Sequence, residues 1–147
     1  MPRILVADRI ADEGLELLKA QADVDVKVGL TPPELLELVG DYDALIVRSE
    51  TKVTQEVIKG GKRLQVVARA GIGVDNIDVD AATSAGIAVV NTPMGNTVAA
   101  AEHTLGLILA LSRNIPHAPR SLSDGEWRRN DFIGIEVQNK TLGIVGL

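Results

Sequence analysis

The chain contains no cysteine in its 147 residues, which excludes disulfides, thiolate nucleophiles and cysteine-ligated zinc. Aromatic side chains are nearly missing as well: one Trp, one Tyr and one Phe, 2% of the chain. A core must then be assembled from Val, Ile, Leu and Ala, which suits strands buried on both faces between helices. The same scarcity argues against a binder of single-stranded nucleic acid, which needs aromatic stacking platforms. A formal net charge of -5 disfavours nucleic acid more generally. His103 and His117 are the only histidines and do not stand at a metal-ligating spacing, so no metal site is expected and both read as helix-buried or interface residues. The apolar stretch 105–111 is far below membrane-spanning length. The apolar part of the N-terminus is too short for a signal peptide. A cytoplasmic protein without a membrane partner is therefore expected. No P-loop, nucleophile elbow or H-E-x-x-H run is present.

What is present is alternation. Residues 4–7, 24–28, 44–47, 64–68 and 87–90 are short apolar or alternating runs that read as strands. Between them lie helical patterns: residues 12–20, a helix opened by Thr31 with Pro32 in its first turn and ending near Gly40, one from Thr54 to Gly60-Gly61, and a short one opened by Asp78 or Asp80 and closed by Gly86. The order β-α-β-α-β-α-β-α-β with such short connections implies an α/β fold, a parallel sheet with helices on both faces. After Asn91 the pattern changes. A turn-rich link, 92–96, leads into a long helix, 97–114, stopped by Pro116. Leucine and isoleucine surround most of this helix, so it is expected to be buried. Residues 116–139 are polar and basic, with Trp127 and Phe132 as lone anchors, and 141–145 read as a further strand.

Two glycine patterns follow strands. Gly71-Ile72-Gly73 comes after the run 64–68, but the third glycine of a dinucleotide fingerprint would fall at 76, where Asn76 stands. The pair can turn backbone N–H groups toward one anion, or it can be a tight turn without a ligand. Gly146, after 141–145, is placed like a first fingerprint glycine. Arg48 and Arg69 end two strands. In parallel sheets ligands sit beyond the carboxyl ends of the strands, and the planar guanidinium suits carboxylate and phosphate. The alternative is internal pairing with Glu50 or Asp75. Arg113, Arg120, Arg128 and Arg129 form a local basic excess that could serve an anion or be a solvated face.

Residues 45–54, 69–78, 91–103, 124–127 and 140–147 together resemble the D-isomer-specific 2-hydroxyacid dehydrogenase family, over essentially the whole chain. The resemblance implies a flavodoxin-like substrate-binding domain over residues 1–96 and, over 97–147, the start of a Rossmann NAD-binding domain with a long helix, a dimer arm and a first strand. It implies NAD-dependent oxidation of D-3-phosphoglycerate to 3-phosphohydroxypyruvate, the entry to serine synthesis. The small phosphorylated 2-hydroxy acid would be held by Arg48 and Arg69, by backbone groups of Gly71, Ile72 and Gly73, and by Asn96 at the hinge. Arg129 would reach the substrate from the neighbouring subunit of a homo-oligomer, a dimer or tetramer. Ile72 and Gly146 would face the NAD cofactor. The family's catalytic Arg, Glu and His match no position here and are expected downstream of Leu147, so the 147 residues alone are expected to be inactive. A glyoxylate/hydroxypyruvate reductase of the same family is the alternative within the class, and a non-catalytic ligand-binding or regulatory module the alternative outside it.

Overall fold

The computed structural model describes residues 1–145; Gly146, the expected cofactor glycine, lies outside them. The chain divides into two compact units, Met1–Asn96 and Thr97–Leu147.

The first unit is one five-stranded, all-parallel sheet in the order β2-β1-β3-β4-β5. The strands are β1 (Arg3–Val6), β2 (Asp23–Val26), β3 (Ala44–Val47), β4 (Val66–Arg69) and β5 (Ala88–Asn91). Between them run α1 (Asp12–Lys19), α2 (Pro32–Val39), α3 (Gln55–Gly60) and α4 (Val79–Ser84). Successive side chains point to opposite faces of a strand, and the core divides accordingly. Leu5, Ala7, Leu45, Val47 and Val67 join Leu35, Val39, Val57, Ile58 and Ala82 of α2, α3 and α4 on one face. Ile4, Val6, Ala44 and Ile46 meet Leu15 and Leu18 of α1 on the other. The expected parallel sheet with helices on both faces is therefore formed, with three helices on one side and α1 on the other.

Local chemistry explains the helix starts. The Glu34 carboxylate accepts from the Thr31 N–H at 2.7 Å, closing a capping box ahead of Pro32. Asp78, not Asp80, opens α4, accepting from the Ala81 N–H at 2.9 Å. β4 starts two residues later than the apolar run suggests, because the Leu64 N–H is spent on the Gly61 carbonyl at 2.9 Å in the turn that closes α3.

The second unit holds α5 (Thr97–Ser112), α6 (His117–Ser123) and a 3-10 turn, Arg129–Phe132. Three expectations fail here. The long helix is not buried: none of its residues is, and Leu105, Leu107, Leu109 and Leu111 are all exposed. An apolar circumference records a need for burial, and this unit supplies little to meet it. His103 and His117, expected as helix-buried or interface residues, are likewise exposed, which removes only the first half of that reading. Residues 141–145 form no strand, since a strand exists only through ladder bonds to a neighbour and these residues have none among those described. α5 ends two residues earlier than expected and is followed by Asn114 at φ 54. No helix among the described residues is long and apolar enough to cross a membrane.

Candidate functional site

A cavity of about 620 Å³ opens in the first unit, lined by residues that follow four of its strands. Ile10 and Ala11 come after β1, and Arg48 and Ser49 after β3. Residues 69–73 come from the end of β4, and Thr92, Gly95 and Asn96 after β5. This is the carboxyl edge of the sheet. The β1–β3 neighbourhood is where consecutive connections leave in opposite directions, which opens a crevice in a doubly wound sheet. Six of the sequence-derived candidates, Arg48, Arg69, Gly71, Ile72, Gly73 and Asn96, share this one cavity.

The two arginines are not equivalent. The Arg48 guanidinium makes no ion pair or hydrogen bond among the described residues, so internal pairing with Glu50 does not occur. Arg69 is largely committed. Its side chain is 12% exposed, Nε donates to the Arg48 carbonyl at 3.1 Å, and Nη1 donates to the Gly73 carbonyl and stands 3.4 Å from Asp75 Oδ1. The Asp75 carboxylate is exposed, so this ion pair is weak.

The glycine loop is wrapped over that guanidinium. A Cβ at Gly73 would stand 2.8 Å from Asp75 Oδ1 and 3.1 Å from Arg69 Nη1, so a side chain there would push both charged tips aside. The loop's carbonyls are occupied from within: Gly71 accepts from the Thr92 N–H at 2.9 Å, Ile72 from Asn91 Nδ2 at 2.5 Å, and Gly73 from Arg69. The Gly71 N–H turns back to the Arg69 carbonyl at 2.9 Å. The N–H groups of Ile72 and Gly73 make no hydrogen bond among the described residues. Oxygen acceptors are thus tied off while two donors remain, a loop suited to an anion rather than a cation.

Sequence reasoning missed the residues that hold the other loop. Asp8, only 2% exposed, accepts from the Arg48 N–H at 2.5 Å, the Thr51 N–H at 3.2 Å and Thr51 Oγ1 at 2.6 Å. Asn76, standing where a fingerprint glycine would be, donates Nδ2 to the carbonyls of Arg48 at 2.8 Å and Thr51 at 2.6 Å. The available signal was an aspartate directly after an apolar strand, where a solvated side chain would ordinarily be assumed.

Arg129 lies in the second unit. It lines a separate cavity of about 670 Å³ there with Leu122, Trp127, Arg128 and Phe132. Arg128 is taken up by Asp131 at 2.7 Å and Glu126 at 3.2 Å, which hold its pKa above the ordinary value, whereas Arg129 has no such partner among the described residues. No group of three or more metal-ligating side chains occurs among the described residues.

Comparison with known proteins agrees with this fold. The chain is 53% identical over 147 residues to D-3-phosphoglycerate dehydrogenase of Synechocystis sp. and 52% identical to that of Methanocaldococcus jannaschii. Both alignments cover 100% of this chain but 26% and 28% of those proteins, so it spans about a quarter of their length. Among solved structures, a Thermus thermophilus protein matches with a TM-score of 0.84 and 34% identity, over 92% of this chain and 46% of that one. The NAD+-bound 3-phosphoglycerate dehydrogenase of Entamoeba histolytica matches with a TM-score of 0.68 and 31% identity, over 76% of this chain and 39% of that one. Residues 4–144 match the D-isomer specific 2-hydroxyacid dehydrogenase catalytic domain, and it is to this family that the chain belongs.

Proposed function

We propose that the chain serves NAD-dependent oxidation of D-3-phosphoglycerate to 3-phosphohydroxypyruvate, the entry to serine synthesis, and that the first unit is its substrate grip. The observation that carries this reading is the Arg48 guanidinium, unpaired among the described residues, beside Arg69 in a cavity with the N–H groups of Ile72 and Gly73, likewise without a partner among them. A phosphorylated 2-hydroxy acid carries a phosphate and a carboxylate. The guanidinium matches the first and the two amides the second, with Asn96 at the rim. The names of the similar proteins point to the same substrate.

The described residues offer NAD one surface. Ile72, 46% exposed at the cavity rim, is an apolar side chain that fits the face of a nicotinamide ring. Gly146 would approach the cofactor phosphates. NAD, when bound, supplies the hydride acceptor. The chain's own part is to bind and orient. Neither His103 nor His117 hydrogen-bonds a carboxylate among the described residues, and we assign neither as the acid–base.

The second unit fits a role in self-association. α5 exposes four leucines, Trp127 is 79% exposed, and Arg129 is free to serve a neighbouring subunit's substrate. We therefore assign a homo-oligomer, a dimer or tetramer; a cytoplasmic location is proposed from the metabolic enzymes that the chain resembles. Sedimentation equilibrium should show association, and a strict monomer at high concentration would refute it.

Calorimetric titration tests the substrate. D-3-phosphoglycerate should bind at least roughly tenfold more tightly than D-glycerate, the margin of one charge-assisted contact. Equal affinity for the two would overturn the reading.

A further inference from the structure

We infer that Asp8 and Thr51 are positioning residues for Arg48, a buried carboxylate–hydroxyl pair that fixes the backbone from which this arginine reaches into the cavity. The inference rests on the phosphate reading proposed above and adds to it what sets the arginine's place. Arg48 is exposed and its guanidinium is unpaired among the described residues, so nothing there holds the tip of this long side chain. Its direction is decided at the main chain.

There both polar groups are held by side chains of other elements. The N–H donates to Asp8 Oδ2 at 2.5 Å, and the carbonyl accepts from Asn76 Nδ2 at 2.8 Å and Arg69 Nε at 3.1 Å. Thr51, 9% exposed, is gripped in the same way: its N–H and Oγ1 donate to Asp8 and its carbonyl accepts from Asn76. An exposed turn could leave its N–H and carbonyl groups to water. Here a charge is buried instead, which costs free energy unless its oxygens are hydrogen-bonded. Asp8 meets that condition on both oxygens, with three donors. Asn76 does not, because its Oδ1 is buried without a partner. An orphaned acceptor is tolerated where the rest of the group has a task, and the task of Asn76 is holding two carbonyls of one loop.

The carboxylate belongs to the segment after β1 and the loop to the segment after β3, the partners standing 40 and 43 positions apart in sequence. The pair thus bolts the arginine loop across neighbouring strands at the mouth of the crevice. Substitution to asparagine would remove the charge that strengthens all three bonds and reverse the one to the Thr51 hydroxyl. Thr51→Val keeps the shape of the side chain and removes the O–H donor, whereas Thr51→Ser keeps the donor.

The test uses the 147-residue chain with D-3-phosphoglycerate as the probe, titrated calorimetrically, and NMR-detected amide exchange at Arg48. Arg48→Ala serves as the reference for loss of phosphate binding. Asp8→Asn and Thr51→Val should each weaken binding roughly tenfold, the scale of a lost hydrogen bond to a charged group, and should speed exchange of the Arg48 amide. Thr51→Ser should bind and exchange like the wild type, and the core amides of Leu5 and Val67 should stay protected in all of them. If Asp8→Asn fails to fold, the valine–serine pair at 51 decides alone. Wild-type binding by Thr51→Val, or equal loss in Thr51→Val and Thr51→Ser, overturns the positioning role and leaves the phosphate reading standing if Arg48→Ala has lost binding. Undiminished binding by Arg48→Ala removes the phosphate reading itself.

Discussion

Replacing Arg48 and Arg69 separately by alanine should split binding from folding, because the structure gives the two guanidiniums different work. Arg48 has no internal partner among the described residues, so Arg48→Ala removes an exposed side chain and should leave stability within about 0.5 kcal/mol. Its loss should appear in binding: a charge-assisted contact contributes about 1.5–3 kcal/mol, which is roughly ten- to a hundred-fold in the Kd for D-3-phosphoglycerate. Arg69 is 12% exposed and donates to the carbonyls of Arg48 and Gly73. The Arg48 carbonyl keeps Asn76 as a second donor, so its loss is partial. The contact with the exposed Asp75 adds about 0–1 kcal/mol. Together these make Arg69→Ala about 1–2 kcal/mol less stable. For a cooperative unit the size of Met1–Asn96 that is a fall in Tm of roughly 5–15 °C. Differential scanning calorimetry and titration of the same two variants supply both readouts. Equal Tm losses in the two variants, or a destabilised Arg48→Ala, would refute the division of labour.

Other outcomes follow from single contacts. Gly73→Ala should cost little stability, since its Cβ meets only the movable ends of Asp75 and Arg69, yet it should weaken D-3-phosphoglycerate binding by crowding the loop that carries the Ile72 and Gly73 amides; unchanged affinity would count against the loop geometry. Asp25 is held below the ordinary carboxylate value of 3.8 by the hydrogen bond from Tyr42 and then by Arg3, and Asp43 by the Arg3 N–H and then by Arg63. These are lowered acids, so their stabilisation is present above the ordinary value and is lost as pH falls through the lowered one; Tm measured against pH should drop on the acid side. Burial and then the Asp25 hydrogen bond push Tyr42 from 10.0 up to about 12, so stability should also fall as pH rises across that interval, and Tyr42→Phe should abolish this alkaline arm. Leu45→Ala, at a fully buried position in β3, should destabilise by about 2–5 kcal/mol in urea titration. The 147 residues alone should produce no NADH from D-3-phosphoglycerate, and detectable turnover would reopen the assignment of His103 and His117.

By itself the sequence determined what depends on period and punctuation. Alternating apolar runs and capped helices of α/β type can be read because a strand's burial repeats every two residues and a helix start needs a Thr31 or an Asp78. Arg48 and Arg69 were legible for the same reason, since a polar residue ending an apolar strand lies at the carboxyl edge of a parallel sheet. The rest depends on which strands become neighbours. The order β2-β1-β3-β4-β5 places Asp8 beside a loop 40 residues away, and nothing local in an aspartate after a strand distinguishes a buried acceptor of three donors from a solvated charge. Only the tertiary fold decided that Arg69 is spent inside the site and Arg48 is not, because both have the same side chain in the same kind of place and differ only in what stands within 3–4 Å. Only the fold, too, left α5 uncovered and residues 141–145 unpaired: apolar pattern records a need for burial or a ladder, and whether the need is met belongs to the neighbours.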